Sequence, residues 1–316
     1  MVGTALTREL AHAGHTIVRL IRCGAGAKQG EGHRNVKIAP QPGQILDVSW
    51  NPKTCDLEGD PFGDQREQVE GADAIVNLAG ASIAEQSWSA ERKALLRSSR
   101  VQFTRELVCA LEKLNNPPKA LLSASAIGYY GDRGEELMTE ESKPGHAFLS
   151  GLALEWEAEA VKAEAIGMAV ARLRFGIILA KEGGALPQMM KPLRFGVGRV
   201  GSGRQWMSWI TLFDVVRAIT FMLERKANAV VNVVAPNPVR NAEFAEELAS
   251  VLHRRAFLPA PSFALEFALG EMARELLLAS QRVMPTHLQQ LGFQFLHPQL
   301  ASALQALDLP GGLVSS

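Results

Sequence analysis

The sequence predicts an α/β fold, a doubly wound parallel sheet with a smaller, mainly helical C-terminal lobe, and three observations predict it. β-branched runs alternate with segments of helical apolar spacing over roughly the first 180 residues. Runs such as Ala72 to Leu78 and Ala120 to Ala126 are apolar or small almost throughout, as in strands buried on both faces. The first of these ends in Asn77-Leu78-Ala79-Gly80, small residues where a parallel sheet opens its ligand crevice. With 316 residues, 47% of them apolar, the chain can bury a large core.

The elements follow in order. Leu6, Leu10 and Ala13 recur at helical spacing, Gly14 stands where a C′ glycine ends a helix, and Thr16 to Ile21 reads as a strand closed by Arg22. A glycine-rich stretch, Cys23 to Gly43, leads to a short strand from Ile45 to Trp50 that Asn51-Pro52 terminates. After the strand at 72–78, Val101, Thr104, Val108, Leu111 and Leu114 share one helical face until Pro117-Pro118 stops it. Then come the strand Ala120 to Ala126, a helix from Leu152 to Ala165 and a strand from Met168 to Leu173. Beyond Leu179 the pattern changes: a glycine-rich stretch from Gly183 to Gly203, Trp206 to Ile210, a helix from Asp214 to Glu224 and a strand from Ala229 to Val234. From Asn241 the chain is mainly helical with proline breaks. The expected division is 1–180 with 211–235 for the sheet, and 181–210 with 236–316 for the lobe.

Lys+Arg and Asp+Glu balance at 33 each, so no net field draws the chain to nucleic acid or an anionic membrane, and only a local basic site remains open. Cys23, Cys55 and Cys109 are too scattered for a disulfide framework or zinc site and fit a reducing cytoplasm. No apolar stretch approaches the roughly 20 residues a bilayer requires, and no signal pattern opens the chain. The expected partner is a small molecule, with no nucleic acid and no membrane.

A literal G-x-G-x-x-G runs from Gly196 to Gly201, but Pro192 precedes it and Ser202-Gly203-Arg204 follows in place of a helix. The fingerprint works only between a strand and a helix. It therefore reads as a pocket wall. The N-terminus is more informative: Gly3 leads into the first helix as the last glycine of a pyrophosphate turn would, the helix amides facing the phosphate.

Together with Asn77 to Gly80, Ser99-Arg100-Val101, Ser123 to Gly131 and Arg174 to Leu179, these residues bring the chain to a known pattern. It resembles the extended short-chain dehydrogenase/reductase superfamily, Rossmann-like in fold, and within it the atypical epimerase family proteins that carry their own C-terminal domain. The resemblance implies NADP(H). It places Arg22 against the 2′-phosphate, Gly3, Leu78, Ala79 and Gly80 along the adenosine and pyrophosphate, Arg100 facing the same crevice, and Phe175, Gly176 and Ile177 beside the nicotinamide. It also makes a homodimer plausible. Because the usual first strand and most of the glycine turn lie before Gly3 in that pattern, the natural protein is expected to begin upstream. Losing a central strand would forfeit on the order of 10 kcal/mol.

Superfamily catalysis uses Tyr-x-x-x-Lys, the lysine lowering the phenol pKa. Here Tyr129 and Tyr130 are the only tyrosines, and Arg133 and Gly134 stand four residues on. The expected region reads Phe148-Leu149-Ser150-Gly151-Leu152. Ser125, which matches the superfamily serine with a one-residue offset, and the two phenols are the candidate catalytic groups, with Ser123 behind them. The two rings equally suit a core contact and a loop hydrogen bond. Asp214 suits a role in positioning its loop, and Trp206, Met207 and Trp209 suit either a substrate pocket or core. The histidines form no H-E-x-x-H and no metal site is expected. Two functions follow: an NADP(H)-dependent oxidoreductase or epimerase-like enzyme, or a catalytically silent NADP(H)-binding protein that reports cofactor state, as relatives linked to cell or organelle division suggest.

Overall fold

Leu6 and Leu10 lie one turn apart on α1 (Val2–His12) and turn the buried face of that helix to the sheet. The computed structural model describes residues 1–22, 42–51 and 60–309. Gly14, at φ +86°, ends α1 in the left-handed conformation that glycine adopts without strain. β1 (Ile17–Arg22) and β2 (Ile45–Trp50) then pair in parallel, Ile17 opposite Ile45 and Arg22 opposite Trp50. β3 (Ala74–Asn77) is shorter than the apolar run that predicts it.

Helix α2 (Ala90–Arg97) starts at Ser89, whose hydroxyl accepts the Arg92 N–H at 3.1 Å. A π-helical turn, Ser98–Gln102, joins it to α3 (Phe103–Glu112). β4 (Ala120–Ala126) follows, then α4 (Phe148–Val161), which begins four residues before the expected start at Leu152. The reason is an acid distant in sequence: Glu275 accepts the N–H groups of Phe148 at 3.1 Å and Leu149 at 2.8 Å. β5 (Ala169–Phe175) and β6 (Ile177–Leu179) lead to α5 (Leu186–Leu193), β7 (Val197–Val200) and β8 (Trp209–Thr211). α6 (Leu212–Arg225), β9 (Ala229–Val233), α7 (Asn241–Val251), β10 (Leu258–Ala260), α8 (Ser262–Leu269) and α9 (Leu300–Ala306) complete the elements used below.

Four parallel strands form the central sheet in the order β3-β4-β5-β9. The β1–β2 pair stands apart, and the remaining edges of β1 and β3 carry no strand partner among the described residues. Side chains bridge the two parts. Val48 and Trp50 of β2 and Val18 and Leu20 of β1 share one core with Leu107 and Leu111 of α3 and Leu121 of β4. Leu122, one residue on, points to the opposite core of α1 and α6. Helices therefore cover both faces, as a doubly wound sheet requires.

A separate core belongs to the C-terminal lobe, built by Leu186, Trp209, Phe244, Leu248 and Leu304. The G-x-G-x-x-G residues form β7 and its flanks, following α5 and pairing with β10. No strand-to-helix phosphate turn exists there. Trp209 and Met207 are core, whereas Trp206 lies half-buried with its indole donating to Glu135 at 2.9 Å. Among the described residues no helix is long and apolar enough to cross a membrane.

Candidate functional site

The carboxyl ends of β3, β4 and β5 gather the predicted residues into one crevice. Asn77, buried at the end of β3, donates from its side chain to Thr104 at 2.9 Å and accepts the Ala79 N–H at 3.2 Å. This fixes the Leu78-Ala79-Gly80 turn. Leu78 touches both sides: its Cδ1 lies 3.9 Å from where a side chain on Gly3 would begin, and it shares an apolar cluster with Phe175. Gly80 lies against the Arg100 guanidinium, which a β-carbon would meet at 3.1 Å. Arg100 sits on the π-helical turn, donates to the carbonyls of Ala81 at 2.9 Å and Leu96 at 3.3 Å, and lies over Trp156.

Arg100 has no carboxylate partner among the described residues. Burial, then the like charge of Arg92, pulls its pKa down to about 10, which still leaves a full positive charge at neutral pH. Arg92 is itself buried, donates to the Ser82 carbonyl and, among the described residues, pairs with the exposed Glu85 alone, at 3.5 Å. Gly3 of α1 meets the same crevice through Leu78, and the first turn of α1 holds no acid.

Gly176 is the crossing point between sheet and lobe. A β-carbon there would stand 2.6 Å from the Ser208 carbonyl oxygen and 2.7 Å from Val234 Cγ1. Phe175 ends β5, and Ile177 opens β6 beside β8 with its N–H on the Ser208 carbonyl at 2.9 Å. Arg22 ends β1 as expected, but its side chain lies outside the described residues.

Ser125 and Tyr130 lead into a buried network that sequence reading does not anticipate. The Ser125 hydroxyl donates to Glu157 at 2.6 Å, and Arg174 donates to both oxygens of the same carboxylate, at 2.7 and 2.9 Å. Arg174 also donates to the Tyr130 hydroxyl at 2.9 Å, which in turn donates to Asn232 at 2.7 Å. Asn232 receives its own support from Met284 and Glu140. Burial, opposed by Arg174, pushes the Tyr130 pKa up to about 12. Burial works against the Arg174 charge, yet Glu157 more than offsets it and the guanidinium pKa rises. The one signal in the sequence is two arginines, Arg172 and Arg174, two residues apart in an otherwise apolar strand.

Tyr129 differs from its neighbour. Its half-buried ring lies under the Arg174 guanidinium, 3.5 Å from the ring centre, and its hydroxyl has no hydrogen-bond partner among the described residues. The hydroxyl of Ser123, also buried, accepts from the Asn77 side chain at 3.5 Å. Asp214 is fully buried and accepts the N–H groups of Leu296 and His297, both at 2.9 Å, so it anchors a loop of the lobe.

A cavity of about 320 Å³ lies between the N-terminus of α4 and the chain around 271–281. Gly128 and Gly131, which flank the two tyrosines, line it with Leu149, Glu271, Arg274 and Glu275.

The NAD dependent epimerase/dehydratase family matches residues 1–234, and a domain of unknown function, DUF1731, matches residues 260–307. An epimerase family protein of Arabidopsis thaliana, the chloroplastic SDR39U1 homolog, is 40% identical over 97% of this chain and 83% of its own length. The Mycobacterium leprae epimerase family protein ML0860 is 35% identical over 96% of this chain and 91% of its own. The crystal structure of human epimerase family protein SDR39U1 (isoform 2) with NADPH superposes with a TM-score of 0.77 at 30% identity, covering 97% of this chain and 95% of that one. A complex of MoeE5 with UDP-glucuronic acid and NAD, at 18% identity and a TM-score of 0.70, shares the fold. The chain therefore belongs to the NAD-dependent epimerase/dehydratase family and, within it, to the epimerase family proteins with a DUF1731 domain.

Proposed function

We propose that this chain binds NADP(H) in the crevice at the ends of β3, β4 and β5, as an oxidoreductase or epimerase-like protein acting on a small molecule held in the adjoining cavity. One observation carries the reading: Arg100, a cation without a carboxylate partner among the described residues, lies on Gly80, at the end of the turn whose Leu78 meets Gly3 of α1. A guanidinium so placed suits a diphosphate. The NADPH bound by the human relative supports the same cofactor. Gly3, Leu78, Ala79, Gly80 and Arg100 would hold the adenosine and pyrophosphate, Arg22 the 2′-phosphate, and Phe175, Gly176 and Ile177 the nicotinamide end. The cofactor's chemistry is hydride transfer.

Of the three candidate catalytic groups, Tyr129 has the uncommitted hydroxyl. Arg174 stacks on its ring, so a cation is present although the family lysine is not. The hydroxyls of Ser125 and Tyr130 are consumed in the buried network, which favours a second reading, a silent NADP(H)-binding protein.

Titration with NADPH, followed by nicotinamide fluorescence, tests the binding. Arg100→Ala is expected to weaken it roughly tenfold or more, as losing a charge-assisted hydrogen bond of about 1.5–3 kcal/mol implies. Unchanged affinity in that variant would remove the assignment. NADPH oxidation across a carbonyl panel separates the two readings: turnover lost in Tyr129→Phe supports the enzyme, and binding without turnover on any member supports the silent form.

A further inference from the structure

Four phenylalanines stand out of the C-terminal lobe into solvent. Phe195 is 79% exposed, Phe257 69%, Phe263 76% and Phe267 95%. Large rings this open, clustered on one lobe, mark an interaction surface. They are joined structurally: Phe257 packs its ring against Gly196, its N–H and that of Leu258 share the Gly196 carbonyl, β10 runs beside β7, and α8 follows directly with Phe263 and Phe267 one turn apart. No residue of α8 is buried.

The charge around these rings is mostly of one sign: α8 carries one acid, Glu266, and that acid faces Arg274 at 3.7 Å. Between Glu182 and Asp214 the sequence has no acid but has Lys191, Arg194, Arg199 and Arg204, and between Glu247 and Glu266 it has no acid but has Arg254 and Arg255. All six are exposed, and none forms an ion pair among the described residues. The balanced total charge of the chain conceals this local excess.

We infer that this face, Phe195, Phe257, Phe263 and Phe267 with their flanking arginines, docks the protein on an anionic lipid surface. Aromatic rings that enter the acyl boundary beside arginines that meet headgroup phosphates are the chemistry of a peripheral membrane contact. A bound peptide needs a groove, and these rings line neither the cavity beside Glu275 nor the smaller one beside Arg97. The docked segment runs through α8 to Glu271 and Glu275, so the face adjoins the cavity of the sheet–lobe cleft.

Co-sedimentation of the full chain with vesicles tests this. Binding is expected to vesicles of phosphatidylcholine mixed with phosphatidylglycerol, not to phosphatidylcholine alone, and to fall as salt rises. The pair R254Q/R255Q is expected to lower partition about thirty-fold, from about fivefold per arginine near the surface. The pair F263S/F267S is expected to abolish binding while its thermal melting stays that of the parent. Failure to sediment with either vesicle, or sedimentation unchanged in both variants, overturns the proposal. So does light scattering that finds a dimer dissolved by F263S/F267S, which would assign the face to a second copy.

Discussion

Glu157 and Arg174 are the residues on which the interior of the sheet domain turns. They form a bidentate pair in which both side chains are almost fully buried, and the pair reaches Ser125 and Tyr130 through hydrogen bonds. Removing one partner leaves a buried charge without compensation, so E157Q is expected to cost about 3 kcal/mol, measured by urea denaturation. Tyr130 gives a pH signature. Its pKa rises from 10 to about 12, so between those values the unfolded chain loses the proton while the folded chain keeps it. Stability therefore falls as pH rises through that window, by up to about 1.4 kcal/mol per pH unit. Y130F is expected to remove that slope, as unfolding curves at alkaline pH would record. The sequence offers Ser125 and Tyr130 as candidates because of their position after a strand. It cannot reveal that Glu157, on a helix 32 residues beyond Ser125, claims the serine hydroxyl.

Elements show the same division between local and distant causes. β2, β4 and β9 are legible because β-branched and apolar runs of strand length have few other uses, and α1 because its period and its terminal Gly14 agree. The start of α4 is not legible, since the acid that caps it lies in the lobe at Glu275. Burial, and Glu271 beside it, raise the pKa of Glu275, while the amides of α4 hold it down. Replacing it with alanine is expected to free the first turn of α4 at a cost of about 1 kcal/mol. Faster hydrogen exchange at the Phe148 and Leu149 amides is the readout. The π-helical turn at Ser98–Gln102 is also hidden, because one added residue leaves the apolar spacing on either side intact. That turn is what carries Arg100, so the sequence named the residue without the geometry that presents it.

Across the whole molecule, the doubly wound plan and the helical lobe are both readable from patterning, and among the described residues the sheet is divided between β1 and β3. β1 and β2 are tied to the remainder through Val18, Leu20, Val48 and Trp50 and not through a hydrogen-bonded ladder to β3. Native-state hydrogen exchange is therefore expected to open the β1–β2 amides at a lower free energy than those of β4 and β5, as a separate cooperative unit. Equal protection in both would show that packing alone couples them fully. Ala74, Ile75 and Val76 on β3 and Ile17 and Val18 on β1 are only half-buried, and each edge presents main-chain donors and acceptors with no strand opposite among the described residues. A row of this kind is a template, and an extended segment of alternating apolar residues, from any chain that can lie along it, would complete its ladder.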